Sequence, residues 1–489
     1  MPGPNKRKGK QTMSNNTDNN EALLIAAEDK DWEKVRKLIA EGADVNAEDV
    51  PWGETVLMYA ARYNENPKVI KELIAAGADV NAKDNDGCTA LMFAARNNKP
   101  EIIKELVAAG AEINAQNNTG ETALTLAARS NADSGVFKDL IAGVADINAK
   151  DRFGETFLMK YVFNDHANPE VVKQLIAAGT DINAVNEDGE TALMHAAWKT
   201  ADPEVIRGLI AAGADVNAKD DFGETALMYA AGFSDYPAIV KELIAAGADV
   251  NAKDSYGQTV LMHYAASNKG NSEVFKELTD AGSDVNAKDA NGRTALMLAA
   301  WNNCDAFVIK ELISFGADVN VKDDDDETAL MYAAYYNVNT NVIKELLAAG
   351  AEVNAENKDG YTALMYAIRR NDDPEVIKGL IAAGSEVNAR LKSGETILMY
   401  AAARYKDPTV VKKLIDAGAD VNAKADRWGK TALMAAARSN ANPEAVKELI
   451  TAGAEINVKD ENGITALMWA KKQNDNPEVV KALIAAGAE

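Results

Sequence analysis

The chain has 489 residues, 47% apolar and 26% charged, the make-up of an ordered protein and not of a disordered or fibrous one. Its formal net charge of -23 excludes a general attraction to nucleic acid or anionic membranes, and favours basic partners or plain solubility. No apolar run approaches the ~20 residues that span a bilayer, and the only two cysteines, Cys88 and Cys304, form no disulfide framework.

In chain order, residues 1–19 carry Lys6, Arg7, Lys8 and Lys10 without an apolar stretch behind them, so no secretory signal is expected. The polar run from Ser14 to Asn20 predicts a disordered tail, and the basic cluster reads as part of it. Residues 20–52 form an incomplete helical unit. Trp32 and Leu38 are its apolar residues, while Glu28, Asp29, Lys30, Glu33 and Lys37 give the polar outer side of an N-terminal cap.

From residue 53 the chain repeats. Gly53, Gly87, Gly120, Gly154, Gly189, Gly223, Gly257, Gly292, Gly360, Gly394, Gly429 and Gly463 stand in Gly-x-Thr-like tripeptides at intervals of 33 to 35 residues, with one double interval. Asp326 stands at the midpoint of that interval, giving thirteen units, numbered 1 to 13 below, over 53–489. Unit 2 shows the logic. Thr89 is an N-cap, Leu91, Ala94 and Ala95 share a helical face, Pro100 opens a second helix, and Gly110 ends it at positive φ. Ile102, Ile103, Leu106 and Val107 form the apolar stripe of that second helix. Such short helices cannot stand alone. Stacking buries them, which predicts one all-α repeat solenoid with projecting β-turn tips. Twelve of fourteen methionines fall in one column of helix 1, read as core, and nine of twelve prolines begin helix 2. The last unit, 463–489, carries Lys471 and Lys472 where a C-terminal cap needs polarity.

The segments Gly-Glu-Thr-Ala-Leu-Met-x-Ala-Ala (Gly223 to Ala231) and Gly-Ala-Asp-Val-Asn-Ala-Lys-Asp (Gly247 to Asp254) closely resemble the ankyrin repeat over about residues 20–489. The regular Asn-x-x-Pro-Glu-Val stretches look like bacterial members. The resemblance implies an L-shaped repeat, protein binding along a concave groove and turn tips, no catalysis and no cofactor. Ala-Leu-Met in place of Pro-Leu-His removes the histidine that ties neighbouring repeats in the family.

Columns that vary mark the candidate binding surface. After the paired alanines, and next to that position, stand Arg62, Tyr63, Arg96, Arg129, Phe163, Trp198, Phe233, Trp301, Tyr335, Tyr336, Arg369, Arg370, Arg404 and Arg438. Arg, Trp and Tyr dominate binding hot spots, and the resemblance places this stripe on the concave face. The alternative is that these side chains stack between repeats and stiffen the array. Trp52, Phe153, Phe222, Tyr256 and Trp428 precede their glycines at the turn tips and form a second candidate surface. Repeat 4 has Tyr161-Val162 for Ala-Ala, and repeat 7 reads as carrying an inserted residue at His263-Tyr264-Ala265, so helix packing is expected to change at both.

No site chemistry is expected. His166, His195 and His263 do not gather with one another, no phosphate loop or nucleophile elbow occurs, and the acidic turn Asp323 to Glu327 lacks calcium-loop spacing. The sequence therefore predicts a cytoplasmic, monomeric, non-catalytic scaffold, an adaptor or inhibitor, for another protein. The alternatives are an acidic decoy for a nucleic-acid-binding protein and a bacterial effector acting on a host protein. Neither nucleic acid nor membrane is an expected partner.

Overall fold

The computed structural model describes residues 7–130, 134–144, 146–233, 236–267, 270–302, 306–336, 339–371, 373–405, 407–439 and 442–489, with side chains from residue 18 onward. Cys304, Lys6 and the side chains of Arg7, Lys8 and Lys10 lie outside the described residues. Twenty-eight helices and no strand occur among those described. The projecting tips are turns, which among the described residues hold only single bridges, such as Lys253 to Thr259 and Arg390 to Thr396. By contacts the chain forms two compact units, 1–221 and 222–489.

The first helix, Arg7–Glu28, begins inside the segment expected to be disordered. No proline interrupts it, and its last turns bury Leu23, Ala26 and Ala27. The helix Trp32–Ala40 pairs with it, capped by Asp31, whose side chain accepts from the Lys34 N–H at 3.0 Å.

Each later repeat is a helix of six to eight residues followed by one of nine. Threonine opens most of the first helices, as in Thr191, whose Oγ1 accepts from the Met194 N–H at 3.3 Å. The methionine answers: the Thr191 N–H donates to Met194 Sδ at 3.3 Å. Thr55, Thr156, Thr259, Thr294 and Thr396 bond their methionines alike. A thioether thus completes a capping box, the place usually held by Glu or Gln. Repeat 3 has Thr125 in this column, and its hydroxyl accepts from the Thr122 N–H at 2.8 Å. Eleven column methionines are buried, as expected. Met468, in the last repeat, is 48% exposed.

Asn or Asp caps most second helices, with proline at their first position in nine, as in Asp373 before Pro374–Ala382. Gly110 follows its helix at φ +91, as expected. The turn glycines answer two demands. Gly223 sits at φ +77, and a Cβ there would lie 2.8 Å from the Ser255 backbone nitrogen of the next turn. Asp326 takes the same left-handed conformation at φ +61 in glycine's place.

Inside each unit most neighbouring first helices pack on one another, Ala123–Arg129 and Phe157–Val162 being the exception, and most second helices do likewise. An asparagine ladder stitches the loops. Asn286 Nδ2 donates to the Gly316 carbonyl at 3.1 Å, and its Oδ1 accepts from the Asp318 N–H at 2.9 Å. Asn46, Asn320, Asn388 and Asn422 make the same pair of bonds one repeat onward. This ladder supplies the inter-repeat hydrogen bonding that the missing histidine does not.

Repeats 4 and 7 correct the expected insertion. Tyr161 and Tyr264 both stand in the first alanine column, 4% and 1% exposed. Each hydroxyl reaches the N-cap seven residues on: Tyr161 accepts from the Asn168 N–H at 3.0 Å, and Tyr264 donates to the Asn271 carbonyl at 3.1 Å. The extra residue of repeat 7 therefore lies in the linker before Ser272–Asp280, not in Val260–Ala266. The large ring and the longer linker are one device.

Candidate binding surface

In several first helices the residue after Leu-Met points back at its own turn. In repeat 9, Asp323 Oδ1 accepts from the N–H groups of Asp325 and Glu327 at 2.9 and 2.8 Å, and Oδ2 accepts from the Tyr332 hydroxyl at 2.7 Å. Tyr59 with Asp49 and Trp469 with Asp460 repeat this. Burial and then the Asp323 hydrogen bond push the Tyr332 phenol far above its ordinary range. The acidic turn is thus held by internal bonds, and Glu327 is engaged by the Tyr366 hydroxyl at 2.5 Å and by Asn357.

In five repeats the residue after the paired alanines lies on the next repeat. Arg62 lies 4.1 Å from the Phe93 ring centroid, Phe163 5.4 Å from His195, Trp301 5.6 Å from Tyr332, Tyr335 5.2 Å from Tyr366, and Arg438 4.8 Å from Trp469. Gly232 occupies this position opposite His263, where a Cβ would already lie 3.6 Å from the histidine's own. The sequence stripe is therefore a nearest-neighbour interlock of residues 31 or 32 apart. A large residue on one side is matched to its partner on the other.

This divides the fourteen candidates. Arg62, Trp198, Trp301, Tyr335, Arg369 and Arg438 are half-buried. Arg62 also pairs with Glu54, Trp301 stacks on Tyr336 at 5.3 Å, and Arg369 donates to the Tyr361 hydroxyl at 2.8 Å. Tyr63, Arg96, Arg129, Phe163, Phe233, Tyr336, Arg370 and Arg404 are exposed. Arg129 pairs with Glu121 at 2.6 Å, Arg404 bonds the Arg369 carbonyl, and Arg370 lies 5.6 Å from the Tyr335 ring. Trp52, Phe153, Phe222, Tyr256 and Trp428 are all exposed by more than half, while their carbonyls accept from the next turn, as Phe222 does from the Ser255 N–H at 2.8 Å. Their backbones are fixed and their rings are presented.

Among the described residues one gathering of metal-ligand types occurs, Glu224, Asp254 and His263, with one donor atom of each within 4.8 Å of the others. Pairing histidines with each other in the sequence missed it; pairing His263 with the aspartate column of its own turn finds it. Nε2 of His263 faces Asp254 Oδ2 at 3.1 Å and Nδ1 faces Glu224 Oε1 at 3.6 Å. The two ring nitrogens point to different carboxylates, so one cation does not take all three as they stand. The imidazole bridges two turns. Burial opposes the Asp254 carboxylate, but hydrogen bonds from His263 and the Gln258 and Tyr256 N–H groups outweigh it and hold its pKa below the usual value. A depressed folded-state pKa contributes stability above the unfolded value, near pH 4, and that contribution disappears as pH falls through the folded value. Thermal melts between about pH 5 and pH 3 are expected to fall more steeply for the wild type than for Asp254→Asn. Equal slopes would remove Asp254 from the acid response. Elsewhere, His195 Nε2 lies 3.0 Å from Glu190, His166 is exposed, and burial raises the Cys88 thiol.

Paired short helices with capped turns, stacked at a period near 34 residues, define a helical repeat protein. The chain belongs to the ankyrin-repeat family: the family model for ankyrin repeats in three copies matches residues 7–84, 23–117, 57–151, 124–220, 199–289, 227–323, 262–357, 296–391, 364–460 and 398–489. That family generally mediates protein–protein interaction and is typically non-enzymatic. No curated protein matches the chain. Among solved structures it is similar to the human ASB11 ankyrin repeat domain, at 25% identity over 47% of this chain and 99% of that one, with a TM-score of 0.40. No helix among the described residues is long and apolar enough to cross a membrane.

Proposed function

We propose that the protein is a non-catalytic cytoplasmic scaffold, an adaptor or inhibitor, that holds a protein partner on the exposed members of the Arg/aromatic stripe and on the turn-tip rings. The observation that carries this reading is the division of the stripe. Its half-buried members interlock the repeats, while Arg96 and Arg370 are exposed and Phe233 is 46% exposed. Arg96 makes no hydrogen bond, ion pair or ring contact among the described residues. Long cations and exposed rings give contact area and directed hydrogen bonds at an interface.

The test is capture from native lysate by wild type beside an Arg96→Glu, Phe233→Ala, Arg370→Glu variant, with circular dichroism showing both folded. Loss of the captured partner by about tenfold or more supports the stripe. Undiminished capture by this variant, with loss on Trp52→Ser and Trp428→Ser, moves recognition to the tips. Capture that high salt alone abolishes favours the charge decoy over either surface.

A further inference from the structure

Repeats 3 and 4 depart from the common sequence together. Phe157 stands where most first helices begin with alanine, Tyr161 takes the first alanine column, and Thr125 takes the methionine column. Val144 also replaces the glycine that ends the second helix in other repeats, and a Cβ on Gly143 would collide with Ile113 Cδ1 at 1.9 Å. The result is steric. Phe157 is only half-buried and stacks on Tyr161 at 6.0 Å, while Tyr161 packs edge-on to Phe137 at 5.3 Å. Helices Ala123–Arg129 and Phe157–Val162 stand apart, where Ala90–Arg96 and Ala123–Arg129 pack together. A cleft of about 500 Å³ opens between them, walled by the rings of Phe157, Tyr161 and Phe163. Its size falls in the range that accepts a few side chains.

The charges on the wall decide what fits. Arg129, Lys160 and Lys199 line the cleft, with Asp165 as the one carboxylate of the lining. Glu121 neutralises Arg129, and Asp151, with Glu155 at 3.9 Å, neutralises Lys160. Lys199 has no ion pair among the described residues. Its ammonium lies 5.5 Å from the Phe163 ring centroid and 5.9 Å from that of Trp198. A cation held over two rings keeps donors for an anion. On a chain of net charge -23, Lys199 is thus a cation left without an ion pair at the cleft.

We propose that this cleft is a docking notch for an extended segment of a partner protein in which one carboxylate stands beside a bulky apolar side chain. Lys199 receives the carboxylate, and Phe157 and Phe163 receive the apolar group. The inference rests on the protein-binding reading and adds to it the chemistry of one partner segment.

The probe is the blocked tetrapeptide N-acetyl-Gly-Glu-Phe-Gly-amide, titrated into the full chain by saturation-transfer NMR beside its Gln and Lys analogues. The Glu peptide is expected to bind about fivefold more tightly than either analogue. Lys199→Met keeps the apolar stem on the rings, and should bind the Glu and Gln peptides equally. Phe157→Ala should weaken all three. The proposal is overturned if the Lys peptide binds as well as the Glu peptide, through Asp165. It is equally overturned if the Glu preference survives Lys199→Met, or if no peptide saturates at millimolar concentration. The Arg96, Phe233 and Arg370 variant leaves the cleft intact and should bind the Glu peptide like wild type. Loss of partner capture with retained peptide binding would sink the stripe and leave the cleft standing; the reverse result would do the opposite.

Discussion

Replacing Asp323 with alanine is expected to lower the unfolding free energy by about 3–4 kcal/mol, because charge-assisted hydrogen bonds contribute about 1.5–3 kcal/mol each and the stranded donors lose partly buried sites. Asp323 is 8% exposed and accepts from two turn N–H groups and the Tyr332 hydroxyl. Its loss frees both the tip and the ring on which Trp301 stacks. Asp323→Asn keeps one carbonyl oxygen for the turn N–H groups and should cost about 1 kcal/mol. Urea unfolding followed by far-ultraviolet circular dichroism reads the difference. In a repeat array the loss need not be all-or-none, so a new early transition would count as the same result. Equal midpoints for the alanine variant and wild type would show that the acidic turn is held by its backbone alone.

Trp301→Ala is expected to cost about 2–4 kcal/mol, less than a fully buried tryptophan because one face of the ring meets solvent. The ring stacks on Tyr332 and Tyr336 at 5.6 and 5.3 Å and lies 5.2 Å from the Arg293 guanidinium carbon. A double-mutant cycle with Tyr332→Phe leaves the stack and removes the Asp323 bond, so its coupling should be small. A cycle with Tyr332→Ala should show coupling of about 1 kcal/mol. No coupling in the second cycle would mean that the interlock is contact without energy, and would return the whole stripe to recognition.

Stiffening and recognition thus divide the stripe by burial. Trp301 or Tyr335 binds the next repeat, whereas Arg96 at the matching position of repeat 2 has Leu126 in the following helix and no ring to lie on. In the partner-binding test above Arg96 is of the second kind, and Phe233 and Arg370 are used because they are exposed. A variant at Trp301 would confuse lost binding with lost packing.

The methionine column shows how a correct reading can be incomplete. Its spacing and apolar character placed it in the core, and burial agrees for eleven of the twelve. Its sulfur also accepts the N–H of the capping threonine, and Thr125 does that work with oxygen in repeat 3. The signal was present in the substitution of threonine for methionine. Hydrophobicity alone hides it, since a shared acceptor role joins the two residues and apolar character does not.

The sequence by itself determined the period, the two helices of each repeat, their caps, the buried columns and the family. Each of these depends on residues within about one or two helical turns, such as Thr89 before Leu91 or Pro100 and Gly110 around one nine-residue helix. Tertiary structure alone decided which Arg and aromatic residues lie on a neighbour, where the extra residue of repeat 7 falls, and that a cleft lined by Phe157 opens between two first helices. Those outcomes depend on side chains 31 to 34 positions distant, as Trp301 is from Tyr332 and Thr125 from Phe157. Local propensity does not carry that register. It is set by how much volume each repeat presents to the next.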